Sequence, residues 1–146
     1  MHNIESAEEM FVLGKQIGAQ CKPGDQILLT GPLGAGKTLL AQGIGTALGI
    51  DEITSPTFVI ARKYDGQIPI IHVDLYRLLD SANPLAAIED LDLDLEADKS
   101  VTIIEWASPE YLALQEDRLE ITIDRTNEVR VVTINPVGKR WDSLKI

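Results

Sequence analysis

Apolar residues recur along this chain with two different periods, and the points where the period changes delimit the elements. Met10, Leu13 and Ile17 fall three to four positions apart behind Ser6-Ala7-Glu8-Glu9, a capping box, so the spacing predicts a helix near 6–20. That helix ends before the turn Pro23-Gly24-Asp25. Gln26 to Thr30 encloses the run Ile27-Leu28-Leu29, which is short enough for a buried strand. Leu40, Ile44, Ala47 and Leu48 return to helical spacing and mark the inner face of a second helix that stops at Gly49. From Thr57 to Tyr64 the residues favour a strand, Asp65-Gly66 signals a hairpin, and Ile68 to Asp74 is the return strand. Pro84 begins a helical stretch that passes into the acidic segment Glu89 to Asp98. Val101-Thr102-Ile103-Ile104-Glu105 reads as another buried strand. Leu119, Ile121 and Ile123 alternate with polar neighbours and, with Val129 to Ile134, predict a final antiparallel pair across Arg125 to Glu128. No repeat, low-complexity tract or linker interrupts the chain, so residues 1–146 are expected to form one α/β domain, a mixed sheet flanked by helices in three layers.

The segment joining the first apolar strand to the second helix carries the chemistry. Gly31-Pro32-Leu33-Gly34-Ala35-Gly36-Lys37-Thr38 has the form G-x-x-x-x-G-K-[ST]. Glycines let the backbone curl so that successive N–H groups point inward at phosphate oxygens, and the following helix offers its positive end. Lys37 would reach the β- and γ-phosphates, and the Thr38 hydroxyl would complete a Mg²⁺ shell. Gly31, Leu33, Gly34, Ala35, Gly36, Lys37, Thr38 and Leu39 are therefore the candidates for holding Mg·ATP, on a P-loop NTPase-like fold. The metal also needs a carboxylate at the carboxyl edge of a neighbouring strand, and two apolar runs end in one, at Asp74 and Glu105. One acid would hold Mg²⁺ and the other would orient or deprotonate the attacking water; spacing does not say which does which. Thr54-Ser55-Pro56-Thr57 is either a γ-phosphate-sensing segment or a plain loop of turn formers. His72 lies inside a strand run and reads as a packed residue. Trp106 is expected to pack rather than stack on a base, and Trp141 to anchor the C-terminal segment. The alternation Asp92, Asp94, Glu96, Asp98 reads as a solvated face.

Charge and composition narrow the partners. The net charge is −10, from 23 acids against 13 bases, and no basic cluster exceeds Arg62-Lys63 or Lys139-Arg140. Such a surface repels a polyphosphate backbone, so contact with DNA is not expected and contact with RNA would come through a second protein. No stretch is apolar for long enough to span a bilayer, Met1 to Ser6 lacks the blocks of a secretion signal, and Cys21 has no second cysteine to pair with. A cytoplasmic location is the expectation. Two rival activities fit less well. A small-molecule kinase on the same loop would carry an Arg-rich lid, whereas Arg62, Arg77, Arg118, Arg125, Arg130 and Arg140 are scattered. A GTP-type switch would carry Asn-Lys-x-Asp, and the chain has no Asn-Lys pair.

Gly31 to Thr38, Ser55-Pro56-Thr57-Phe58, His72-Val73-Asp74-Leu75-Tyr76-Arg77-Leu78 and Ile104-Glu105-Trp106-Ala107 occur in the order and spacing of the TsaE (YjeE) family, which the chain resembles over nearly its whole length. The resemblance implies a small ATPase of the bacterial system that makes N6-threonylcarbamoyladenosine in tRNA. It would dock on a TsaB–TsaD pair, support repeated turnover, and meet tRNA only through those partners. It also implies Thr38 and Glu105 as Mg²⁺ ligands, Asp74 as the acid needed for hydrolysis alongside Glu105 and Lys37, and Thr57 as part of the γ-phosphate-sensing loop. The N-terminal segment would lie near the nucleotide base, with Ile4 to Ser6 as candidate contacts. Pro32 departs from the family, where an acid is frequent; proline removes one N–H, and the cradle would use the amides from Gly34 to Thr38.

Overall fold

The structure, a computed structural model, describes residues 1–32, 34–54, 61–74, 98–105 and 117–146. Helix α1 (Ala7–Gly18) starts at Ser6, whose hydroxyl accepts the Glu9 N–H at 3.2 Å. The capping box is skewed by one residue, because the Glu9 carboxylate returns to the Glu5 N–H at 2.8 Å rather than to that of Ser6. Strand β2 (Gln26–Thr30) feeds helix α2 (Lys37–Ala47), and Gly49 leaves that helix with a left-handed φ of 84°. Strand β3 (Ala61–Tyr64) is the end of the expected strand, whose residues 57–60 lie outside the described residues, and β4 (Ile70–Asp74) starts two residues later than expected. Strands β5 (Val101–Glu105) and β6 (Arg118–Asp124) fall where the apolar patterning places them, and β7 (Arg130–Val137) runs three residues further.

A strand the patterning does not reveal, β1 (His2–Ile4), pairs antiparallel with β7 and completes, among the described residues, a seven-stranded sheet in the order β1-β7-β6-β2-β5-β4-β3. Three residues are too few to show a period, so β1 exists only through its pairing. The sheet is mixed: β4, β5, β2 and β6 run parallel, and β3, β7 and β1 are antiparallel to their neighbours. The β3–β4 hairpin forms, but not around a tight Asp65-Gly66 turn. Its register pairs Tyr64 with Ile70 and leaves 65–69 as the connection. Gly66 is required there by close approach, since a methyl group on it would lie 2.7 Å from the Leu48 carbonyl oxygen. The helical stretch expected from Pro84, Trp106 and most of the acidic alternation lie outside the described residues.

Ile27, Leu29, Ile103, Leu119 and Ile121 share one sheet face and a single buried cluster with Met10, Leu13 and Ile17 of α1 and Leu40 and Ile44 of α2. Leu28, Ile71, Val73 and Ile104 point the other way and are buried as well. Burial on both faces explains why the central strands read as unbroken apolar runs while β6 alternates.

Candidate functional site

The loop after β2 takes its shape from its glycines. A Cβ on Gly31 would lie 2.9 Å from the Ile123 carbonyl oxygen, so the chain leaves β2 pressed against β6. Gly34 and Gly36 take φ values of 76° and 111°, a region L side chains resist. Gly36 is also the N-cap of α2; among the described residues no side chain caps that end, and the helix dipole adds positive character there. Ala35 is buried, and its N–H donates to the Pro32 carbonyl at 3.1 Å. In this conformation that amide is spent within the loop.

Lys37, 6% exposed, turns back into the loop and donates to the Gly31 carbonyl at 2.7 Å. Its ammonium lies 3.9 Å from Oε1 of Glu105. Burial pushes the Lys37 ammonium below its ordinary value, against the opposing pull of the Glu105 and Asp74 carboxylates. The two acids end adjacent parallel strands in direct register, Asp74 opposite Glu105, and Glu105 is in turn opposite Leu29 of β2. The fold thus gathers both at the carboxyl edge beside the loop. Their environments differ. Glu105 is buried and its Oε2 lies 2.6 Å from Nε2 of the fully buried His72, whereas Asp74 is half-buried at the strand end. Thr38 and Leu39 follow Lys37 in the first turn of α2 and are half-buried.

Leu33 and Thr57 lie outside the described residues. Thr54, just before the Ser-Pro-Thr segment, is tied to β3: its N–H donates to the Tyr64 hydroxyl at 3.3 Å and its Oγ1 accepts from Arg62 at 3.2 Å. Ile4 is buried in the core and the Ser6 hydroxyl caps α1, so those two side chains are engaged within the fold. Met10 of α1 does reach the loop, because a methyl on Gly36 would meet its side chain at 3.1 Å.

Two arginines that look scattered in sequence meet at the loop. Arg130 donates to the Gly34 carbonyl at 3.1 Å, and Nη1 of Arg125 lies 2.6 Å from where a Gly34 Cβ would stand. The signal that would have found them is topological: β6 runs parallel beside β2, so whatever follows β6 arrives at the glycine loop. A cavity of about 760 Å³ opens there between Gly31, Pro32, Thr122, Asp124 and Arg125, within the size range of small-molecule sites.

A hydroxyl and carboxylates are hard oxygen donors that suit Mg²⁺. Among the described residues no group of three or more His, Cys, Asp or Glu stands ready to hold a metal by itself. Thr38 and Glu105 fit that donor set. No helix among the described residues is long and apolar enough to cross a membrane.

The model of the family described as Threonylcarbamoyl adenosine biosynthesis protein TsaE matches residues 4–132. A relative from Streptomyces coelicolor, named tRNA threonylcarbamoyladenosine biosynthesis protein TsaE, is 45% identical over 142 residues, which cover 90% of this chain and 93% of the relative. A protein of the same name from Bacillus subtilis is 40% identical, covering 94% and 85%. The crystal structure of Bacillus subtilis YdiB superposes with a TM-score of 0.77 at 33% identity, covering 98% of this chain and 88% of that one. Sequence, family match and fold agree, and the chain belongs to the TsaE family of threonylcarbamoyladenosine biosynthesis proteins.

Proposed function

We propose that this chain is a P-loop ATPase that binds and hydrolyses Mg·ATP on a TsaB–TsaD type complex and so supports formation of N6-threonylcarbamoyladenosine in tRNA. The observation that carries the reading is the meeting of Lys37, Glu105 and Asp74 at the carboxyl edge of three adjacent strands, beside a glycine-shaped loop and an uncapped helix start. Lys37 would exchange the Gly31 carbonyl for the β- and γ-phosphate oxygens. Thr38 and Glu105 would hold Mg²⁺, which supplies charge neutralisation on the phosphates. Asp74, the more exposed acid, would orient the attacking water, and Thr57 would report the γ-phosphate. Arg125 and Arg130 add positive charge at the loop rim. A net charge of −10 leaves tRNA to the partner proteins, and the whole is read as one cytoplasmic domain.

The test is ATP hydrolysis by the purified chain with and without the TsaB–TsaD pair, in parallel with nucleotide binding. Hydrolysis should rise on adding the pair. Lys37→Ala should weaken nucleotide binding roughly tenfold to a hundredfold through loss of a buried, charge-assisted contact. Thr38→Ala and Glu105→Ala should weaken the Mg²⁺-dependent part of binding. Asp74→Ala should bind nucleotide and fail to hydrolyse it. A wild-type chain that neither binds nor hydrolyses ATP in either setting defeats the proposal, and normal turnover by Asp74→Ala reassigns that residue.

A further inference from the structure

His72 stands in the middle of β4, wholly buried, between the apolar Ile71 and Val73 and in register with Ile103 of β5. An imidazole at such a position carries a desolvation cost that Ile or Val would not, unless its nitrogens find partners. Nε2 finds one, Oε2 of Glu105 at 2.6 Å. Among the described residues Nδ1 finds none. The polar capacity that the ring uses therefore goes to a single carboxylate oxygen. An ionised carboxylate only accepts, so the proton in this bond sits on Nε2.

That bond makes the two oxygens of Glu105 inequivalent. Oε2 is held by the imidazole, and Oε1 is the oxygen on the Lys37 side, 3.9 Å from its ammonium. The terminal torsion of a glutamate is broad and close to two-fold, so an unsupported carboxylate at a strand end samples many orientations. Carboxylates that bind metals are ordinarily fixed by a hydrogen bond on the oxygen facing away from the metal. His72 supplies such a bond from the neighbouring strand, two residues before Asp74.

We infer that His72 is a positioning residue: it pins Oε2 of Glu105 so that Oε1 is presented to the Mg²⁺ of the bound nucleotide. This rests on the reading of Glu105 as a metal ligand under Proposed function. A histidine serving only as core filler would be replaced by leucine with little effect on the metal. A positioning histidine would not.

The experiment follows a nonhydrolysable ATP analogue by calorimetry and bound Mn²⁺ by electron paramagnetic resonance, in wild type, His72→Leu, His72→Asn and His72→Gln. Glutamine extends an amide nitrogen toward the place of Nε2, whereas asparagine stops at that of Nδ1. Leucine and asparagine are expected to weaken Mn²⁺ in the nucleotide complex about tenfold, with glutamine recovering to within about threefold of wild type. Binding of the analogue in EDTA should be the same in all four. Wild-type Mn²⁺ affinity in His72→Leu overturns the inference, as does an indistinguishable Asn and Gln pair, which decides the matter if the leucine variant fails to fold. Absence of metal-dependent nucleotide binding in the wild type is a separate result: it removes the proposed function, and this inference with it.

Discussion

Lys37 illustrates how much a single buried cation depends on its surroundings. In this structure its ammonium is satisfied internally by the Gly31 carbonyl at 2.7 Å, with Glu105 nearby, and under the proposed function a nucleotide would displace that arrangement. Burial lowers its pKa from 10.5 and the carboxylates only partly restore it. For folding this shift is a cost, present while both states are protonated and relieved as pH rises toward 10.5, because the folded chain releases its proton first. For binding the sign reverses. Phosphates draw the proton back, so nucleotide binding on the alkaline side, below pH 10.5, should take up protons and weaken as pH rises toward that value. Calorimetry in two buffers of different ionisation enthalpy checks this: the observed enthalpies should diverge in the wild type, and matching values would refute the linkage. Cys21 lies at the other extreme. Burial first, then the Asp25 charge, push its thiol up to about 12 against the Arg140 charge, so it stays protonated at neutral pH.

At the scale of elements, the contact between α1 and α2 is set by glycines inside both helices. A methyl on Gly14 would strike the Leu40 carbonyl oxygen, and one on Gly43 would strike that of Phe11. Mid-helix glycine costs about 1 kcal/mol relative to alanine, so propensity alone favours Gly43→Ala. Overpacking costs about 1–3 kcal/mol, and here the obstacle is backbone rather than a movable side chain. With overpacking in the upper part of that range, about 2–3 kcal/mol, the expected outcome is a net loss of about 1–2 kcal/mol in urea unfolding, opposite in sign to the propensity effect. Because α2 carries Lys37 and Thr38 in its first turn, nucleotide affinity should fall with it. A Gly43→Ala chain as stable as wild type would mean that the two helices can separate without loss. The glycines look like weak points when the helix is read alone; only the crossing explains them.

Across the whole molecule, the C-terminal segment is closed onto the turn before β2. Arg140 donates from Nε and Nη2 to the two oxygens of buried Asp25, each at 2.7 Å, and from Nη2 to the Gln20 carbonyl at 2.9 Å. Its guanidinium lies 4.3 Å from the centroid of the Trp141 ring, and Trp141 is buried, as expected for an anchor. Gln20 clasps Lys145 through two bonds, of 2.7 and 2.9 Å. Removing the guanidinium leaves Asp25 buried without its bidentate partner. Arg140→Ala should lower unfolding free energy by about 2–3 kcal/mol, and Arg140→Lys should recover only part of it, since a lysine cannot form the fork. Chemical denaturation of the three chains measures this; an unchanged midpoint in Arg140→Ala would show the clasp to be dispensable.

What the residues determined alone were the features encoded over short spans. The period of the apolar positions reported α1, β2, α2 and the later strands, because burial acts on each element through its own repeat. The shape of the glycine loop was equally legible, since Gly34 and Gly36 answer a need that is local to the backbone. The acids at Asp74 and Glu105 were visible as strand ends but not as distinct environments, because what distinguishes them is a bond from β4 to β5. Strand β1, the approach of Arg125 and Arg130 to Gly34, and the partner of His72 were decided by the tertiary structure. In each case the interacting groups are far apart in sequence, and no pattern along the chain carries the register that brings them together.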